Sequence, residues 1–218
     1  MTVRALTRYH FALLVRSQRW VPPVLAYVLA MVVGVAAGDE ELGALGYAAG
    51  VLVPVTAWLV RTVVTAEPAA SRGCLVAAAG WWRVHLGALL AAVLAAAVPA
   101  AAGIAGVLAT GGGSRAGAAP TLLAGALAAG VCLALGAAIG AVCNRPVLRR
   151  SPYGIPLALA GAVAVLVLPG SPANAVVRAL VAGSAGKGLV LPWWTAPAAL
   201  GLAAAAVAGA VALAGRDE

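Results

Sequence analysis

The chain has 218 residues, 64% of them hydrophobic and 9% charged, with a mean hydropathy of +1.04, against roughly 45–50% apolar and 25% charged in soluble domains. Such a chain belongs in lipid, and because a helix needs about 20 apolar residues to cross a hydrocarbon core of roughly 30 Å, its length admits at most six or seven spans and excludes a second, soluble domain. The net charge of +8 does not point to nucleic acid: the basic residues fall in short segments between apolar runs, without a basic patch interleaved with aromatics, and read as topology signals.

Residues 1–20, plotted at 100° per residue, place Arg4, Arg8, Arg16 and Arg19 on one arc, with Val3, Leu6, Leu13, Leu14 and Trp20 opposite. This pattern predicts an amphipathic interfacial arm on the cytoplasmic side, although Phe11 and Val15 interrupt its basic face. A signal peptide ending near Ala36 or Ala37 is the competing reading, which the long basic region disfavours. Residues 21–218 then form one transmembrane domain. Its first span, 21–38, opens with Pro22 and Pro23 in a first helical turn and ends before Asp39, Glu40 and Glu41.

The second span, 42–60, leads into a polar stretch in which Thr65 or Glu67 caps a short helix begun by Pro68 and ended by Gly73 or Gly80. Spans at 86–108 and 121–143 flank the turn-rich run TGGGSRAGAAP. The basic loop NRPVLRRSP separates the latter from a short fifth span, 153–168. Between 169 and 191, Ala173, Val176, Val177, Leu180 and Val181 recur at helical spacing among Gly and Pro, which predicts a re-entrant or surface helix. The sixth span, 192–215, begins at Trp193 and Trp194. With Trp20, Trp81 and Trp82, these tryptophans are expected interface anchors. Small residues throughout the spans favour close helix packing. The expected fold is therefore all-α, with six transmembrane helices.

Eleven basic residues lie on the side of the arm, the 61–85 loop, the 144–152 loop and the C-terminus, against Arg115, Arg178 and Lys187 opposite. The positive-inside rule then places both termini in the cytoplasm of a bacterial cell. No acidic residue lies inside a predicted span, and His10 and His85 sit at predicted helix ends, so the intramembrane relay of a gradient-driven carrier is not in evidence. Ser151, Ser171 and Ser184 lie in predicted loops beyond reach of either histidine, which argues against an intramembrane serine protease. GSAGKG fails as a phosphate loop, because Val181 and Gly188 occupy its Gly and Ser/Thr positions. Cys74, Cys132 and Cys143 lack metal-ligand spacing and read as small buried hydrophobes. No catalytic, cofactor or metal site is expected in this chain.

The run PVTAWLVRTVVTAEPAASRGCLVAAAGWWRVHLGALLAAVL, residues 54–94, resembles the second-span, loop and third-span segment of ABC-2 type transporter permeases, especially short actinobacterial ones. The arm, six spans and the interrupted helix before the last span extend that resemblance over nearly the whole chain. It implies a permease subunit that pairs with a second copy or a related permease and couples to separate ABC ATPase subunits, which bind ATP and magnesium. It also implies that Glu67, Pro68, Ala69, Ala70, Arg72 and Gly73 belong to a coupling helix, and that the arm touches the ATPase. Membrane lipids are further expected partners. A non-transporting integral scaffold or assembly factor is the alternative reading.

Overall fold

The structure, a computed structural model, describes residues 2–143 and 154–214. Every regular element among these residues is a helix: α1 (Val3–Ser17), α2 (Val21–Gly34), α3 (Glu41–Ala66), α4 (Ala69–Ala79), α5 (Trp81–Thr110), α6 (Ala118–Val142), α7 (Gly154–Val167), α8 (Pro172–Ser184) and α9 (Thr195–Ala214). Helices α3, α5, α6 and α9 are long and apolar enough to cross a membrane, and α7 with α8, bent by 51°, makes a fifth if the pair is one broken span. Among the described residues the chain is thus all-helical, with four to five candidate spans and a composition compatible with a membrane location.

Several helix ends depart from the sequence expectation, each for a local reason. Helix α2 stops at Gly34 rather than Gly38, and its 14 residues reach about 21 Å, short of the roughly 30 Å core. Past it the chain turns at Gly38, with φ of 88°, and the Asp39 carboxylate accepts the Ala36 N–H at 2.7 Å. Helix α3 runs six residues past Val60, and in this last stretch the hydroxyls of Thr62 and Thr65 donate back to the carbonyls of Leu59 and Arg61, both at 2.8 Å. Pro68 stops it: the residue before a proline is pushed out of the α region, and Glu67 is extended at φ −90°, ψ 130°.

Pro68 is itself the N-cap of α4 rather than its first residue, and no side chain caps that end. Gly80, not Gly73, ends the helix; its φ of 82° lets it close α4 and open α5 at once. Helix α5 therefore starts at Trp81, five residues before Leu86, and takes in Trp82, Arg83 and His85. Arg61 and Arg83 consequently lie within helices rather than in loops. Trp193 and Trp194 stand in a turn before α9, which begins at Thr195. Of the cysteines, only Cys132 is fully buried, whereas Cys74 is exposed. The loop predicted at 144–152, the first residue of the fifth span and the charged C-terminal residues 216–218 lie outside the described residues.

Helix α3 is the centre of the bundle, in contact with α1, α2, α5, α6, α7 and α8. Its closest neighbour is α6, where the absence of a side chain lets two backbones meet: a Cβ at Gly136 would lie 2.7 Å from the Val53 carbonyl, and one at Gly140 2.6 Å from the Val60 Cβ. This is the small-residue packing expected where lipid supplies no hydrophobic drive between helices. On α8, Ala173, Val176 and Leu180 are buried as their spacing predicts, while Val181 is exposed. The connections after α2, α5 and α8 meet at one end of the bundle, where Gly38, Glu40, Gly112, Arg115 and Ser184 line a shared depression. Helices α1 and α4 pack at the opposite end, against the start of α5.

Candidate functional site

The arm α1 folds onto the bundle along a stripe four residues apart, with Leu6, His10 and Leu14 buried against α5 and α3. Gly87 makes this approach possible, since a Cβ there would lie 2.8 Å from that of Leu6. Arg4, Arg8 and Arg16 on α1 are exposed, while Arg19, which the predicted arc included, stands exposed in the turn after the helix, because α1 ends at Ser17. Arg19 still donates to the Thr65 carbonyl at 3.4 Å, tying the end of the arm to the end of α3. His10 is not at a helix end: it lies inside α1, with 3% of its surface exposed.

Where α1 meets the α3–α4 turn, polar groups gather. The Tyr9 hydroxyl donates to the Glu67 carboxylate at 3.1 Å, and burial, followed by this acidic neighbour, holds the phenol above its ordinary pKa. Glu67 is only 6% exposed. Arg72, one turn into α4, reaches back to donate to the carbonyls of Val64 and Glu67, closing the turn between the helices. His10, Glu67, Arg72, Trp81 and His85 surround a cavity of about 30 Å³, on the scale of a single water. Both ring nitrogens of His10, Nε2 of His85 and Nε1 of Trp81 are buried without a protein partner. Burial first, and the Arg72 cation second, lower the His10 pKa to about 4, so its imidazole is neutral at pH 7.

The predicted coupling residues thus divide. Glu67 and Arg72 face the polar junction, whereas Pro68, Ala70 and Gly73 are exposed. Together with Cys74 and Ala77, Ala70 and Gly73 form a bare face of small side chains at positions one turn apart on α4. Leu75, Val76 and Ala79 hold the other face against Leu6 and Val84. Trp81 is half-buried in the wall of the polar cavity, while Trp82 is exposed beneath the Arg83 guanidinium, 5.3 Å from its ring centroid. Trp20, Trp193 and Trp194 are exposed, as an interface role requires.

Sequence reasoning passed over Tyr9, His10, Trp81 and His85 as a group. The signal available was the four-residue spacing of Leu6, His10 and Leu14, which puts His10 on the apolar stripe. Among the described residues no three His, Cys, Asp or Glu side chains converge in a way that would hold a metal ion. Comparison with known protein families, curated proteins and solved structures finds no match.

Proposed function

We propose that the chain is the membrane subunit of an ATP-binding cassette exporter of the ABC-2 type, inserted in the bacterial cytoplasmic membrane with six spans and both termini in the cytoplasm. On this reading α2 is the first span and α7 with α8 is the broken fifth. The chain supplies the pathway and pairs with a second copy or a related permease, while separate ATPase subunits bind ATP and magnesium.

The observation that carries the reading is the construction of α4. The helix is braced from within by Arg72, Leu75 and Val76, joined through short turns to the two long helices α3 and α5, and bare on its outer face. A docked partner that moves as a rigid body would transmit its motion through such a bracket to both spans, and the arm would move with it through Tyr9 and Glu67.

Purification from native membranes followed by reconstitution tests the proposal. The full chain alone hydrolyses no ATP and gains ATPase-dependent export with a co-purifying ATPase. Replacing Ala70 by Trp weakens that association and lowers export, with insertion and abundance unchanged. Unaltered ATPase binding and export in Ala70→Trp overturns the coupling assignment, and isolation solely with another integral protein supports the scaffold instead.

A further inference from the structure

Phe11 and Val15, the residues that interrupt the basic face of the arm, have a place in the structure. With Trp20, Val28, Pro99 and Gly106 they help line a groove of about 560 Å³ between α1, α2 and α5, within the size range of small-molecule sites. The groove runs along the whole of α2, about 21 Å, which exceeds the roughly 15 Å depth of one leaflet. Its wall is almost wholly apolar, and the Tyr27 hydroxyl is turned against Gly103 of α5 and closed off from the groove.

The two ends of the groove differ in charge. At its arm end Arg8 lies one and two turns from Phe11 and Val15 on the same face of α1, Arg16 follows Val15, and Arg19 precedes Trp20; all three arginines are exposed. The acid that contacts the arm, Glu67, is buried and engaged by Tyr9. At the far end stand Asp39, Glu40 and Glu41, after the lining residue Val35. A molecule that matches this arrangement has an alkyl chain and a negative group at the arm end.

We infer that the groove between α2 and α5 holds one anionic phospholipid, with an acyl chain in the groove and the phosphate among Arg8, Arg16 and Arg19. This rests only on the membrane location within the proposed function, not on export. Guanidinium groups favour phosphate oxygens through paired, charge-assisted hydrogen bonds, and basic residues at a membrane surface favour anionic lipid.

Native mass spectrometry of the full chain, released from detergent after exposure to phosphatidylglycerol or phosphatidylcholine, tests the site. The expected result is one retained phosphatidylglycerol per chain, preferred by about tenfold or more. Gly106→Leu, whose new Cβ meets only open space, fills the groove and abolishes retention. Gly130→Leu, equally unobstructed on α6, leaves it intact. The surface triple variant Arg8→Gln, Arg16→Gln, Arg19→Gln brings phosphatidylglycerol down to the phosphatidylcholine level.

Undiminished retention in Gly106→Leu, or an unchanged lipid preference in the arginine variant, overturns the inference. So does cross-linking between copies through Val98→Cys, which would assign the groove to a protein partner. An alkaline wash separates the two levels of failure: a chain released into solution defeats the membrane reading itself, and one that stays with the membrane yet retains no lipid defeats this site alone.

Discussion

The hydroxyl of Tyr9 donates to the carboxylate of Glu67 across 58 residues of chain, and this single contact locks the arm to the turn between α3 and α4. Tyr9→Phe removes a donor that reaches the buried carboxylate from another helix. The expected loss is about 1 kcal/mol, the lower part of the range for an unsatisfied buried acceptor, because Tyr9 itself is partly exposed. Thermal unfolding in detergent measures it. Glu67→Gln, which keeps the size and drops the charge, should cost less when combined with Tyr9→Phe than the two single effects added.

The pH dependence of the arm contact should follow His10. The unfolded imidazole titrates near 6.5, and the folded one near 4, so between these values the unfolded chain binds more protons. Stability is therefore fully present above pH 6.5 and falls as the pH drops through the window to about 4. Arg72, His85, Glu67 and Tyr9 face or flank the ring, and the Arg72 cation reinforces the direction. His10→Gln should flatten this part of the profile, measured as unfolding temperature against pH; an unchanged slope would assign it to another group.

Gly87 sets how closely the arm can lie. With a Cβ 2.8 Å from that of Leu6 and 3.3 Å from the Thr7 nitrogen, Gly87→Val must lift α1 off α5. Trypsin should then cut at Arg16 and Arg19 several-fold faster than in the parent. Gly130→Val serves as control, since nothing lies within 4 Å of its Cβ.

At the centre of the bundle, Gly136→Val would place side-chain atoms where the Val53 carbonyl and Thr56 Cβ already stand, at 2.7 and 2.8 Å from the Cβ. Overpacking of this kind costs about 1–3 kcal/mol. The unfolding temperature should fall clearly, whereas Gly201→Val on the open face of α9 should hardly change it.

The proposed topology is checked with single cysteines in a chain whose Cys74, Cys132 and Cys143 are replaced by Ala. Ser114→Cys and Ser184→Cys should react with an impermeant reagent applied to intact cells, and Ser71→Cys only after permeabilisation. The reverse pattern would invert the orientation.

Composition and periodicity determined much by themselves. The apolar content dictates helices suited to lipid, because backbone groups in hydrocarbon must be satisfied within the segment. The arc of Arg4, Arg8 and Arg16 dictates the exposed face of α1, and Pro68 and Gly80 bound α4 through dihedral preferences that need no distant partner. The tertiary structure alone decided what depends on residues far apart in the chain. Glu67 turns inward because Tyr9 arrives from another helix, His10 loses solvent because Gly87 lets α5 come close, and Phe11 and Val15 turn toward a groove that exists only once α2 and α5 stand side by side. A one-dimensional pattern records which residues share a helix face; it holds no information on which neighbour covers that face, since that follows from packing of whole helices.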